Sequence, residues 1–421
     1  MSLKSVDPVI ASLIDQETHR QRKTIDLIAS ENRTSEAVLE ALGSVLTNKY
    51  AEGYPGKRYY GGTEVVDKIE SLCIERALKA FSVPDGWTCN VQAYSGSGAN
   101  LAVYMALLQP GDTLMGLDLP SGGHLSHGYQ TAKRKITAAA TYYTSVPYKI
   151  GEDGLLDYEA VEKQVLEVRP KLLICGASAY SRDWDYARLR AAADKVGAYL
   201  MADIAHISGF VATGLMNSPF PHCHVVTTTT HKTLRGPRSA LIFSRSELAT
   251  AINNAIFPGM QGGPHMNQIA AVAVQLREVM TPEYREYMEM VRKNAQVFCK
   301  KLRKLGHTIV SGGTDNHLFL IDLRPFGVSG DQVSNVLEQV GIAVNKNTIP
   351  GDTSALKPNG IRIGTPVVTS RGWTPYHMEK IAEWIHHAIV ITKKRSIQYH
   401  IDTLSNYIVD SMRDTSLWGE Y

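Results

Sequence analysis

Read from the N-terminus, apolar and polar positions first recur with helical spacing over residues 8–20, ahead of a polar stretch around Ser30, Glu31 and Asn32. A second helix is predicted over residues 34–48, ending before Tyr50, and together these segments read as an N-terminal arm. From about residue 87 short apolar or β-branched runs alternate with helical stretches. The runs are Val91–Tyr94 (within a strand starting at Cys89), Thr113–Leu119, Leu172–Gly176, Tyr199–Asp203, Val225–Thr230 and Ala240–Ser244. That alternation predicts an α/β layer around a mostly parallel sheet. A Gly/Pro-rich stretch, Phe257–Pro264, interrupts the pattern, and residues 267–305 read as one or two long helices. Strands near Leu318–Leu323 and Ile342–Val344, a Gly/Pro-rich loop at 350–360 and a charged helical tail then predict a smaller α+β domain. The expected division is an arm at 1–45, a large domain at 46–280 and a small C-terminal domain at 281–421, with no internal repeat.

Composition narrows the class. With 421 residues, 44% hydrophobic and 20% charged, the chain has the balance of an ordered globular protein of two or three domains. A net charge of +3, with no basic block longer than Lys393–Arg395, gives only weak support to a nucleic-acid or membrane-surface partner. The five cysteines are odd in number, widely spaced and never in a C-x-x-C pair, which argues against a disulfide framework and a zinc module. No apolar run approaches the roughly 18 residues of a membrane span, and the first twenty residues carry Asp7, Asp15 and Glu17 where a targeting peptide avoids acids. The expectation is a cytoplasmic protein.

Three features carry chemistry. The β-branched run from Val225 delivers His231 and Lys232 to a strand end, followed by Gly236-Pro237-Arg238; alone, such a lysine reads as a surface residue. The strand Tyr199–Asp203 ends in an acid, with His206 three residues on. A buried carboxylate needs a cationic partner such as a ring nitrogen, although a helix cap is an equal reading of Asp203 alone. Upstream of both, Ser95-Gly96-Ser97-Gly98-Ala99-Asn100 leads into the apolar helix Leu101–Leu108, where free amides make an anion site or a plain cap. Neither the dinucleotide glycine pattern nor the nucleotide phosphate loop is present. Together a strand-end lysine, an acid for a ring nitrogen and a phosphate cradle specify pyridoxal phosphate held as a Schiff base.

The chain also resembles the serine hydroxymethyltransferase family, in its eukaryotic-type branch, over nearly its whole length. The segments that carry the resemblance are Leu27–Asn32, Asn48–Gly62, Gly116–Pro120 with Gly122–Leu125, Ser178–Ser181, Thr227–Arg238, Gln261–Pro264 and Gly360–Pro366. It implies a fold type I pyridoxal phosphate enzyme that interconverts serine plus tetrahydrofolate with glycine plus 5,10-methylenetetrahydrofolate. In that reading Lys232 forms the Schiff base, His124 stacks on the pyridine ring, Asp203 pairs with its nitrogen, and Ser178 and His206 bracket its hydroxyl side. Gly96, Ser97 and His231 lie near the phosphate and Lys232. Arg362, with Ser30, takes the substrate carboxylate, and Glu52 acts as an acid or proton shuttle beside Tyr59 and Tyr60. Leu119, Gly123, Leu125 and Asn347 are the expected folate contacts.

The resemblance further implies a homodimer whose partner supplies Tyr50, Glu52, Gly262 and Gly263, with two dimers forming a tetramer. This chain departs from the family's usual residues at Ala93 and Gly98, where prolines are common, and at Ser239-Ala240, where two glycines are usual. Its Ser244–Phe257 segment also looks shorter than in many eukaryotic relatives. The pair His124 and His127 is too little for a metal site, and His222-Cys223-His224 reads as the lead-in to a strand. Two other readings compete: a folate-independent aldolase acting on 3-hydroxy amino acids, and a non-catalytic RNA-binding relative.

Overall fold

A computed structural model describes residues 2–352, 356–393 and 397–412 of the chain. Its centre is a seven-stranded sheet in the order Trp87–Asn90, Ala240–Arg245, Val225–Thr229, Tyr199–Asp203, Leu172–Gly176, Thr113–Met115, Thr144–Ser145. Ala240–Arg245 runs antiparallel to both of its neighbours, and the other pairings are parallel. The fold is therefore the α/β class that the alternation predicts.

Side chains on successive strand positions point to opposite faces, and each face of this sheet has its own core. Leu173, Cys175, Leu200, Ala202, Val226 and Phe243 join one cluster, whereas Leu172, Ile174, Met201, Val225 and Ile242 join the other. Burial on both faces explains why these strands read as unbroken apolar or β-branched runs. All five cysteines are free thiols inside the protein.

A second, antiparallel sheet follows the order Thr308–Ile309, Leu318–Asp322, Gly360–Gly364, Asn345–Asn347. It packs with helices Gly330–Gln339 and Pro375–Thr392 around Trp373 and Trp384. Helix Pro282–Lys304 serves both parts: Met288 and Val291 lie in the core of the large sheet, Phe298 and Leu302 in that of the small one.

Several boundaries differ from the sequence pattern, each for a local reason. The first strand of the large sheet is Trp87–Asn90, and Val91–Tyr94 lies outside it. Asn90 Oδ1 takes the Gln92 amide at 2.9 Å, and the Gln261 side chain bonds Gln92 O at 2.7 Å and Tyr94 N at 3.2 Å, leaving the segment one bond to the neighbouring strand, from Ala240 N to Ala93 O at 3.2 Å. Strand Thr113–Met115 stops short of Leu119, which opens a single 3-10 turn containing Pro120. The helix expected over 34–48 is Glu36–Leu42, capped by Ser35, and it gives way at Gly43 to a 3-10 turn at Val45–Asn48. Residues 267–305 form two helices, Met266–Val279 and Pro282–Lys304, because Thr281 caps the second and Pro282 cannot continue the first. Residues 353–355 of the expected loop, Lys394 and Arg395 of the basic block, and the tail beyond Met412 lie outside the described residues.

The N-terminal segment reaches the small sheet. Helix Pro8–Lys23 buries no residue, but Ile25–Asp26 pairs in parallel with Ile342–Ala343, and Ile25 and Leu27 enter the core of the small sheet. Gly364 N donates to Leu27 O at 2.8 Å, and a methyl group at Gly364 would lie 2.4 Å from Ala29 Cα. Only a residue without a side chain permits this approach. Gly364→Ala is expected to push the 27–29 segment off the sheet and to destabilise the protein by about 1–3 kcal/mol; the thermal unfolding midpoint of the cofactor-free protein measures it.

Candidate active site

The strands Leu172–Gly176, Tyr199–Asp203 and Val225–Thr229 all end at one rim, as parallel strands in an open α/β sheet do. Beyond that rim is a cavity of about 400 Å³. Ten of the expected residues line it: Ser30, Gly96, Ser97, His124, Ser178, Asp203, His206, His231, Lys232 and Arg362. They come from the N-terminal segment, five parts of the large domain and the small sheet, so the cavity exists only when all three are assembled.

Asp203 lies at its floor. The carboxylate accepts from His127 Nε2 at 2.9 Å, Asn100 Nδ2 at 2.8 Å and Ala205 N at 3.1 Å. His127 Nδ1 already accepts the His124 amide, so its proton sits on Nε2 and points at Asp203. Burial alone would raise the Asp203 carboxyl, but the hydrogen bond from His127, with the charge of Lys232 nearby, holds it well below the usual carboxylate range. Asn100 is fixed in turn by Thr227 Oγ1, which donates to its Oδ1 at 2.7 Å.

Lys232 is buried, and that burial pulls its amine down to about 8 against the opposing charge of Asp203, with Arg362 and Arg238 adding to the fall. A lysine at that value exposes a substantial neutral fraction near neutrality, the form that attacks a carbonyl. Arg362, brought down to about 10 by burial, remains a cation. Its Nη atoms donate to Ser178 O and Asn345 Oδ1, each at 2.7 Å, while its Nε is buried without a partner. Helix Gly96–Leu107, capped by Ser95, begins at the cavity, which Ser95, Gly96 and Ser97 line. His124 Nδ1 accepts the Ser126 amide at 3.1 Å, and burial brings its ring down to about 4, so the ring is neutral.

The remaining expected residues form two further groups. Leu119, Gly123, Leu125 and Asn347 line a cavity of about 200 Å³ that shares His124 and Ser178 with the first. Tyr50, Glu52, Tyr60, Gly262 and Gly263 gather elsewhere. The Tyr50 and Tyr60 rings lie 5.1 Å apart, a methyl at Gly263 would touch the Tyr50 ring at 2.9 Å, and one at Gly262 would meet the Glu52 carboxylate at 3.1 Å. The charge of Glu52 raises the Tyr60 hydroxyl. Tyr59 sits edge-on to Phe257 at 5.6 Å. None of the six lines the first cavity, and the tyrosines are 55%, 76% and 47% exposed for Tyr50, Tyr59 and Tyr60.

Sequence reasoning missed the support around Asp203. His127 was visible as the partner of His124 at three-residue spacing, and Asn100 ended the Ser95 turn, but nothing local shows that both reach a carboxylate on another strand. It also gave no role to Thr229 and Arg238, which line the cavity, or to His317, which stacks on His206 at 5.6 Å. The departures at Ala93 and Ser239 touch each other: Ser239 Oγ donates to Ala93 O at 3.1 Å, so the extra hydroxyl is satisfied where glycine was expected. His224 leads into strand Val225–Thr229 and accepts the Leu200 amide at 2.9 Å.

The donor set fits a phosphorylated aldehyde. Thr229 Oγ1, His231 Nδ1 and Arg362 Nε are buried without hydrogen-bond partners, and all three residues line one cavity, so the site is built for a polar ligand. An amine able to lose its proton, a fixed carboxylate and a helix-start anion cradle on this sheet define a fold type I pyridoxal phosphate protein. The serine hydroxymethyltransferase family profile matches residues 3–385, and the chain belongs to that family. It is 53% identical to the cytosolic serine hydroxymethyltransferase of Aspergillus fumigatus, over 97% of this chain and 90% of that protein. Identity is also 53% to the cytosolic protein of Oryctolagus cuniculus, over 93% and 84% of the two chains, and 52% to the chloroplastic serine hydroxymethyltransferase 3 of Arabidopsis thaliana, over 93% and 75%.

The buried histidines set a pH dependence. Burial holds His124 and His307 down to about 4 and His231 and His317 to about 3, below the ordinary value near 6.5. Between about pH 6.5 and pH 4 the unfolded chain therefore binds more protons than the folded one, and stability falls as pH falls. Urea unfolding of the cofactor-free protein at about pH 7 and about pH 5 is expected to show this loss, and His317→Asn, whatever its own stability, to show a shallower dependence.

Proposed function

We propose that this protein is a pyridoxal-phosphate-dependent serine hydroxymethyltransferase, a one-carbon transferase that interconverts serine plus tetrahydrofolate with glycine plus 5,10-methylenetetrahydrofolate. The observation that carries the reading is Lys232 buried in one cavity with Asp203 and Arg362, within a chain of this family. Bound pyridoxal phosphate supplies an electron sink for the substrate's Cα.

The roles of the residues follow from chemistry at stated atoms. Lys232 Nζ holds the cofactor covalently, and its lowered basicity supports that role. Asp203, ionised by its three donors, keeps a ring nitrogen protonated. His124 covers a ring face, Ser178 and His206 stand at its hydroxyl side, and Gly96, Ser97 and His231 hold the phosphate end. Arg362 takes the amino-acid carboxylate through its fork of N–H groups, next to Ser30. Leu119, Gly123, Leu125 and Asn347 contact folate; the cavity that they line, adjoining the first, supports this.

Glu52, with Tyr59 and Tyr60, moves the proton at the substrate hydroxymethyl group. Its absence from its own chain's cavity, together with the exposure of its aromatic neighbours, supports a homodimer in which Tyr50, Glu52, Gly262 and Gly263 complete the partner's site. Two such dimers form the tetramer, and the arm, large and small domains divide at about residues 45 and 280. The relatives include cytosolic, chloroplastic and mitochondrial proteins, so the family sets no compartment. Five unpaired thiols support the cytoplasm, and no helix among the described residues is long and apolar enough to cross a membrane.

The test begins with the visible spectrum of the purified protein. A bound-cofactor band that moves to the red on adding glycine and then tetrahydrofolate is expected, and a band that glycine moves but folate leaves unchanged points to the aldolase. Lys232→Ala is expected to abolish multiple turnover with the fold retained; unchanged turnover rejects it as the cofactor lysine. Glu52→Gln is expected to keep the cofactor band and lose folate-dependent serine cleavage by about 10²-fold or more, whereas normal cleavage removes Glu52 from the proton-transfer role.

A further inference from the structure

The peptide that carries Lys232 is tied down at three points. Before it, Thr230 Oγ1 donates to Pro237 O at 2.6 Å and accepts from Ser239 N at 3.1 Å. After it, Thr233 Oγ1 donates to His206 O and accepts from Gly209 N, each at 3.0 Å, and Tyr284 Oη donates to Thr233 O at 2.8 Å. The third tie comes from far away in sequence. Asn32 Nδ2 donates to the backbone carbonyl of Lys232 at 2.9 Å and to Tyr287 Oη at 2.9 Å, so both of its hydrogens are used.

That carbonyl also closes a tight turn. It accepts the Arg235 amide at 3.0 Å, and Arg235 adopts φ +61°, a conformation that a non-glycine residue keeps only where its surroundings impose it. The surroundings are again the Asn32 neighbourhood. Arg235 Nε donates to Arg33 O at 3.2 Å, its guanidinium lies 4.7 Å over the Tyr287 ring, and Tyr287 Oη donates to Pro366 O at 3.0 Å.

Asn32 also has a defined origin. The segment that it ends starts in the small-domain layer, where Ile25 pairs with Ile342 and Leu27 O accepts from Gly364, two residues beyond Arg362 on the same strand. Residues 25–34 thus run as a strap from the strand of the carboxylate-binding arginine, past Ser30, to the carbonyl of the cofactor lysine. We infer that Asn32 is a positioning residue for Lys232: its amide fixes the lysine's backbone to the strap, and so sets the spacing between the Lys232 amine and Arg362. The inference rests on the reading of Lys232 as the cofactor lysine. A misplacement of about 1 Å at a reacting group costs on the order of 10²-fold in rate, and the carbonyl keeps its Arg235 bond when Asn32 is lost, so the effect is one of alignment.

The experiment uses the full-length protein loaded with pyridoxal phosphate. Borohydride reduction followed by peptide mapping first asks which residue carries the cofactor; label on any residue other than Lys232 overturns the reading of the site itself. With Lys232 labelled, Asn32→Ala and the near-isosteric Asn32→Asp, which removes both donors, are expected to lower kcat by about 10- to 100-fold while KM for serine changes by less than about threefold. The pH midpoint of the bound-cofactor band should shift in both variants, and in the cofactor-free protein amide exchange over residues 232–236 should speed up. Tyr287→Phe, which removes the hydroxyl that orients the Asn32 amide, is expected to show the same shift to a smaller extent and serves if either Asn32 variant does not fold. Wild-type kcat and midpoint in the folded variants, or a loss of activity that follows only the loss of folded protein with the midpoint unmoved, overturns the positioning role.

Discussion

A carboxylate enclosed by protein stays charged only where its surroundings supply donors, and the site is arranged around that requirement at Asp203. Three N–H groups reach it, from the helix start at Asn100, the turn at His127 and the amide of Ala205. Two of the donors are themselves fixed, Asn100 by Thr227 and His127 by the His124 amide. The negative charge kept in this way stands against two cations, Lys232 and Arg362, which burial alone would make costly. Without Asp203 the Lys232 amine would fall further, since burial and the charges of Arg362 and Arg238 all favour its neutral form.

The order in which the elements could be read follows from where their partners lie. Leu172–Gly176 and Tyr199–Asp203 were legible to the residue because both faces of the sheet are covered and the apolar run has no competitor. Val91–Tyr94 misled because most of the groups that satisfy its backbone, among them Asn90 and Gln261, are side chains, and a propensity pattern does not show them. The reacting groups were visible as residue types at strand ends. Their supports were not, since His127, Asn100 and Asn32 act across long stretches of chain, and an asparagine in a polar loop looks like any other.

The same distinction separates the two site clusters. Lys232, His206 and Arg362 are buried in the first cluster, and its few orphaned atoms point to what the cavity is built to hold. The residues around Glu52 are rigidly placed, yet open to solvent. Arg58, itself buried, donates to the carbonyls of Ala51 and Gly53 on either side of Glu52 and bonds Asp67 and Glu70. A loop held this firmly has its shape before anything docks against it, which reduces the ordering cost of binding.

The pairing of Ile25 with Ile342 also bears on how the chain is made. A ribosome releases the N-terminal strand of the small-domain layer long before its neighbour exists, and the large sheet can form in the interval. During that time Ile25 and Leu27, both destined for a core, have nothing to pack against. Long-range pairings of this kind form late, because loop closure opposes them until the intervening chain has collapsed. Synthesis therefore separates two events that the finished structure fuses: the lysine's strand is in place early, but the strap that spans from Arg362's sheet to Lys232 can close only when almost the whole polypeptide has emerged.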